Sequence, residues 1–303
     1  MSVKGLIAFP ITPMDGDGKI DATAFGHLVA RLVGAGVDGV GALGSTGSYP
    51  FLTRDERRRA LDVAVAAADG RVPILAGVGH LRTNQAILSA RDAKAEGVRV
   101  GLLAPMSYIP LTDDEVFEHF SAVAREGGLP ICIYNNPIAT HFTMSEALIS
   151  RLSVIRGVVA LKTPAPPAEQ VADCVAGLRK ATPNSFAVGF STDLNVTEAL
   201  IAGGDAWYSV LAGIWPEPCI EIVRAVGLSD IERARMIDAR LKPIWELFRK
   251  LTSLRVVYAT ARVLGLAQAD PPRPILPLSG AAVAEVEAVM TRVGFGGSVA
   301  QWG

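Results

Sequence analysis

Short apolar runs alternate with stretches of helical periodicity from Gly5 to about Val226, and this rhythm constrains the fold more than any other feature. The runs predict strands over Gly5–Pro13, Gly39–Gly44, Pro73–Val78, Val98–Pro105, Pro130–Tyr134, Val158–Lys162, Phe186–Phe190 and Trp207–Leu211. Amphipathic segments come after each one: Ala22–Ala35, Arg54–Ala68, Thr83–Glu96, Asp113–Arg125, Met144–Leu152, Pro167–Leu178, Thr192–Ala202 and Pro216–Val226. A strand–helix pair repeated this often is the pattern of a (β/α)8 TIM barrel; an open doubly wound sheet rarely runs to so many regular units. Beyond Val226 the strand signal stops. Asp230–Leu251, Ser253–Leu264 and Ala281–Val293 read as helices, the last two separated by the proline-rich stretch Asp270–Pro277. The expected organisation is a barrel over 1–226 and a C-terminal helical extension over 227–303.

Helix boundaries carry their own marks. Thr53…Glu56, Thr112…Glu115 and Thr143…Glu146 have the capping-box form, in which threonine and glutamate each satisfy a free backbone N–H. Gly36, Gly70, Gly97, Gly127 and Gly203 are suited to the position after a helix end.

Composition narrows the function. Half of the 303 residues are hydrophobic, 19% are charged, and the net charge is −1. A sizeable core is therefore available, and no electrostatic footprint for nucleic acid or an anionic membrane exists. No apolar run approaches the ~18 residues of a membrane span. The start, Met1 to Leu6, lacks the charged segment and long apolar run of a signal peptide. Cys132, Cys174 and Cys219 are far apart, odd in number and without CxxC spacing, so a reducing cytoplasm is expected, with neither a disulfide framework nor a zinc site.

In a (β/α)8 barrel the active site lies where the strands exit into the βα loops. Lys162 ends the sixth predicted strand, and Tyr134 ends the fifth. An amine half in apolar surroundings attacks carbonyls when it is held neutral, and a phenol on the next strand is placed to shuttle protons to that carbon. The second strand exits into Gly44-Ser45-Thr46-Gly47-Ser48, whose hydroxyls and backbone N–H groups suit a small carboxylate. Met106-Ser107-Tyr108 comes after strand four, and Ser191-Thr192-Asp193 after strand seven. No cluster of His, Asp and Glu on this rim has metal-ligand spacing, and no cofactor is expected.

Other motifs fail on context. Gly39-Val40-Gly41-Ala42-Leu43-Gly44 matches GxGxxG but lies inside a predicted strand. Asp15 to Asp21 resembles part of a calcium loop, yet its twelfth position is Gly26; a tight turn before the first helix is expected. His27 and His119 fall within helices and read as structural, whereas His80 and His141 come after strands and are candidates for substrate contact. The cysteines are expected to pack as small apolar residues.

Taken together, Gly44-Ser45-Thr46-Gly47, Tyr134-Asn135-Asn136-Pro137 and Lys162 have the order and spacing of a known family. From Gly5 to about Val293 the chain resembles the dihydrodipicolinate synthase/N-acetylneuraminate lyase family of class I aldolases. Phe9 to Pro13 and Leu276 to Ser279 also look typical. The resemblance implies a Schiff base between Lys162 and pyruvate or another 2-oxo acid, whose imine stabilises an enamine at C3. It assigns Tyr134 as proton shuttle and Ser45 and Thr46 as the residues that hold the substrate carboxylate and connect to Tyr134; Gly47 and Ser48 in the same loop are further candidates for substrate contact. It also implies a homo-oligomer, a tetramer or dimer.

The departures concern the second substrate. No arginine comes after the YNxP motif, where the residues are Ile138-Ala139-Thr140-His141. The relay tyrosine of loop four aligns with Ser107, Tyr108 standing one place later. Ser48 replaces a glutamate, and Thr163 is next after the lysine. The leading expectation is thus a cofactor-independent lyase, an aldolase or dehydratase, acting on a 2-oxo acid. Tyr108, His141, Ser191 and Asp193 are expected to contact substrate hydroxyls, a set suited to a 2-oxo-3-deoxy sugar acid. The alternatives are a dihydrodipicolinate synthase that condenses pyruvate with aspartate semialdehyde, and a non-catalytic 2-oxo acid-binding paralogue.

Overall fold

Eight parallel strands close on themselves in the computed structural model of the chain, which describes residues 3–15 and 18–295. They are β1 (Gly5–Ala8), β2 (Gly39–Ala42), β3 (Ile74–Gly77), β4 (Val100–Leu103), β5 (Ile131–Tyr134), β6 (Val158–Pro164), β7 (Ala187–Ser191) and β8 (Ala206–Ser209). Neighbours in sequence pair in parallel, and β8 closes onto β1. Between and after them run α1 (Ala22–Ala35), α2 (Arg54–Ala68), α3 (Thr83–Ala95), α4 (Asp113–Gly127), α5 (Pro137–Thr140), α6 (Glu146–Ser153), α7 (Ala168–Ala181), α8 (Val196–Ile201) and α9 (Pro216–Gly227). Three further helices, α10 (Ile231–Leu251), α11 (Ser253–Val263) and α12 (Gly280–Val293), complete the described chain. The fold is the TIM barrel with a C-terminal helical part.

Apolar side chains divide into two cores. One fills the barrel and includes Ile7, Phe9, Leu75, Leu102 and Tyr208. The other lies between the strands and the helices, and Ile237, Leu241, Trp245, Val257 and Val286 from α10–α12 belong to it. Inside a barrel, bulky side chains need small ones opposite them. That need accounts for the glycines of β2 and its exit. A Cβ on Gly41 would stand 2.3 Å from the Phe9 ring, and one on Gly44 would stand 2.4 Å from it. The GxGxxG match is therefore a packing device.

Several boundaries differ from expectation, each for a local reason. The Thr53 and Thr112 capping boxes form, but the third helix start lies at Ser145, whose hydroxyl accepts from Leu148 N–H. Met144 and Ile149 flank that cap and are both buried, the positions of a hydrophobic staple. Gly127 remains inside α4, where a Cβ would lie 2.7 Å from Ala90 Cβ; Gly128, at φ 66°, takes the left-handed position. The helix expected from Thr192 begins only at Val196. Around Asp15 the chain does turn, with Lys19 N–H donating to Asp15 Oδ1 and Asp21 capping α1; Gly16 and Asp17 lie outside the described residues.

His119 lies on α4, facing the start of α3. Its Nδ1 lies 2.9 Å from Thr83 Oγ1, its Nε2 is buried without a hydrogen-bond partner, and burial lowers its pKa from 6.5 to about 4. The unfolded chain thus takes up this proton at a higher pH than the folded chain. Stability present above pH 6.5 is lost progressively down to about pH 4. Denaturant melts across this window are expected to show a His119-dependent loss on the order of 2–3 kcal/mol, absent from His119→Gln.

Candidate active site

Lys162 and Tyr134 are register partners on β6 and β5, and Lys162 pairs with Gly189 on β7. Pairing at one level on adjacent strands sends both side chains inward at the carboxyl end of the barrel. The strands are locked just beyond them. Asn135 N–H donates to the Lys162 carbonyl at 2.9 Å, and Asn135 Nδ2 donates to Thr163 Oγ1 at 3.0 Å.

Three aromatic rings surround the amine. Lys162 Nζ lies 3.7 Å from the centre of the Phe9 ring, 4.3 Å from that of Tyr134 and 5.6 Å from that of Tyr208. The residue is only 5% exposed. Gly189 makes room for this arrangement, since a Cβ there would meet Tyr208 Cε2 at 2.5 Å. Burial pushes the Tyr208 phenol well above its ordinary pKa and the Cys132 thiol up to about 12, the two groups lying 3.5 Å apart. Both stay protonated at neutral pH. The Lys162 amine is therefore set among protonated groups and aromatic faces.

From the phenol a hydrogen-bonded chain runs outward. Tyr134 Oη lies 3.0 Å from Ser45 Oγ, and Asn136 Nδ2 donates to Tyr134 Oη at 3.0 Å and approaches Ser45 Oγ at 3.5 Å. Thr46 and Gly47 are buried in the turn that carries Ser45, which is itself exposed. The predicted amine, phenol and serine are thus brought together.

Other predicted positions lie elsewhere. Ser48 is fully buried, with Oγ 3.5 Å from the Tyr258 hydroxyl of α11, and so it braces the loop from behind; the expected substrate contact is corrected. Asp193 is 1% exposed and accepts from Trp207 Nε1 at 2.7 Å and from the N–H groups of Val210 and Leu211 at 3.1 Å. Its carboxylate therefore tethers the β7 exit to the β8 exit, correcting the expectation that it meets substrate. Thr192 and Asp193 adopt positive φ (73° and 23°) to make this turn, which is why the helix starts late. Ser191 ends β7, half-buried. Tyr108 is 95% exposed, and His141 is exposed at the left-handed end of α5. Ser107 Oγ is turned onto the Ile109 carbonyl, and His80 Nδ1 accepts from Arg82 N–H at 3.5 Å.

Sequence reading missed Phe9, Tyr208 and Asn136. An inward aromatic just past β1 or on β8 was legible only through its partner glycines, Gly41, Gly44 and Gly189. Nothing in the spacing distinguishes Asn136 from an ordinary helix cap.

The profile of the dihydrodipicolinate synthetase family matches residues 2–293. The 4-hydroxy-tetrahydrodipicolinate synthase of Acidiphilium cryptum is 32% identical over 297 residues, which cover 96% of this chain and 98% of that protein. The enzyme of the same name from Thiobacillus denitrificans is 31% identical, with 95% of this chain and 96% of that one covered. Among solved structures, a dihydrodipicolinate synthase from Agrobacterium tumefaciens superposes with a TM-score of 0.93 at 48% identity, covering 96% of this chain and 98% of that one.

The bracing role of Asp193 separates stability from chemistry. Asp193→Leu leaves one indole and two backbone N–H groups without their acceptor, so a loss of about 3–5 kcal/mol is expected in urea unfolding. Protein that remains folded is expected to keep the reactivity of Lys162 toward 2-oxo acids.

Proposed function

Because the chain belongs to the dihydrodipicolinate synthetase family, whose members are class I aldolase-type lyases, we propose that Lys162 forms the Schiff base through which it acts on a 2-oxo acid. One observation carries the assignment: a buried amine stands against the Tyr134 ring, and the Tyr134 hydroxyl opens onto Ser45. The amine lone pair forms the bond to C2 while the carbonyl π pair moves to oxygen. That oxygen leaves as water, taking one proton lost by the amine and one delivered through Tyr134; the iminium keeps the other amine hydrogen. Breaking a C3–H bond, its proton passing to the Tyr134 oxygen, then returns the electron pair through C2 to nitrogen and gives the enamine. Ser45, Thr46 and the backbone around Gly47 form the side on which the substrate carboxylate binds.

The second substrate is the point of divergence. The relatives' names support a second reading, condensation of pyruvate with aspartate semialdehyde to a dihydrodipicolinate precursor. The residues after Pro137, Ile138 to His141, supply no guanidinium for a second carboxylate. Pyruvate as the first substrate, with an aldehyde or hydroxylated tail as its partner, fits the neutral polar rim better.

We place the enzyme in the cytoplasm on its three free cysteines, Cys132, Cys174 and Cys219; among the described residues no helix is long and apolar enough to cross a membrane. Self-association through the rim is supported by Leu81, Tyr108 and Ile109, 60%, 95% and 70% exposed, on neighbouring loops. Sedimentation of Tyr108→Asp/Ile109→Asp is expected to show smaller species than wild type; an unchanged distribution would remove this face from the interface.

Borohydride reduction in the presence of pyruvate, followed by intact mass and peptide mapping, tests the imine. A reduced pyruvyl adduct on Lys162 is expected in wild type and none in Lys162→Ala. Failure to trap an adduct with pyruvate or larger 2-oxo acids sinks the Schiff-base assignment. With trapping in hand, turnover of aspartate semialdehyde against neutral aldehydes decides between the two second substrates.

A further inference from the structure

We infer that Asn136 is a positioning residue of the proton shuttle, donating its amide hydrogen to the Tyr134 oxygen and thereby directing the phenol's own hydrogen toward Ser45 and the substrate. The inference rests on the role of Tyr134 proposed above.

Three observations support it. First, Asn136 stands at the N-cap of α5, where an asparagine side chain ordinarily accepts from a backbone N–H one turn ahead, yet it makes no such bond. Second, its amide instead reaches back across the strand exit. Nδ2 lies 3.0 Å from Tyr134 Oη and 3.5 Å from Ser45 Oγ, so one NH2 group touches both members of the chain. Third, its backbone is fixed independently of that side chain. The Asn136 carbonyl accepts from Ala139 N–H, Thr140 N–H and Thr140 Oγ1, each at 3.0 Å, and Pro137 begins the short helix. An anchored residue that forgoes its local cap to donate to a phenol has a defined orientation.

The donation has a chemical consequence. A phenolic oxygen that accepts from an amide must point its own hydrogen elsewhere, and Ser45 Oγ at 3.0 Å is the partner provided. When that hydrogen passes to the departing carbinolamine oxygen, negative charge appears on Tyr134 Oη, and the amide hydrogen is already aimed at it. When the C3 proton is removed, it returns to the same oxygen. The amide itself neither gains nor loses a proton. Loop four contributes no competing partner within the chain, since Tyr108 is 95% exposed and Ser107 is turned onto the Ile109 carbonyl.

Asn136→Leu and Asn136→Asp test this, the second being isosteric but unable to donate when ionised. Deuterium uptake at C3 of pyruvate, followed by NMR in D2O, reads the shuttle; the borohydride adduct at saturation reads imine formation separately. Both variants are expected to exchange about 10- to 100-fold more slowly in the kcat-like limit. The pyruvate concentration for half-maximal exchange is expected to stay within about threefold, with the same final adduct yield and a wild-type melting curve. Exchange within twofold of wild type in Asn136→Leu overturns the proposal, as does a change confined to half-saturation. Retention of the rate in Asn136→Asp overturns the donor role. Absence of adduct in wild type instead defeats the Schiff-base reading itself, and so the two failures are told apart.

Discussion

An amine withdrawn from water must either be neutral or find compensation for its charge, and the carboxyl end of this barrel is arranged around that requirement. Lys162 is almost wholly buried, and the rings of Phe9, Tyr134 and Tyr208 face its amine. Ring faces attract a cation without supplying the full opposite charge of a carboxylate counter-ion. A carboxylate there would favour the charged amine alone. The one acid that sequence order brings to this rim, Asp193, is kept occupied by an indole and two backbone amides.

Much of this was legible in the chain because barrel closure turns strand order into geometry. Lys162, Tyr134 and Ser45 were found because an apolar run has a definite end, and in a parallel barrel all those ends share one rim. The loops beyond those ends were not legible in the same way. Ser48 and Asp193 are polar residues in loops, and polarity does not tell whether a loop side chain faces the cavity or folds beneath it. Ser48 turns to Tyr258, more than two hundred positions later, and Asp193 turns to the next strand. Thr143 illustrates the same limit at a helix start: the motif was present, but burial of Met144 and Ile149 favoured a start two residues on.

The division between fixed and variable parts bears on what such a chain can catalyse. The amine and the phenol end strands β6 and β5 and the serine stands in the turn after β2, whereas Ile138 and His141, in and after the short helix α5, and Tyr108, in the loop after β4, are exposed. On the function proposed above, chemistry common to 2-oxo acids belongs to the first group, and choice of partner is assigned to the second. Relatives at about one-third identity can therefore share the barrel and the imine while differing in the molecule that reacts with it.

Phe9 forms one face of the amine's surroundings and occupies the space that side chains at Gly41 and Gly44 would need. These three positions are consequently not free to drift one at a time. A larger residue at either glycine becomes acceptable only in a lineage where the phenylalanine has already shrunk, and that earlier change opens one side of the amine to solvent. Any stepwise replacement of the trio thus passes through a form with a wetter lysine, and the packing of β2 is tied to the dryness of the amine.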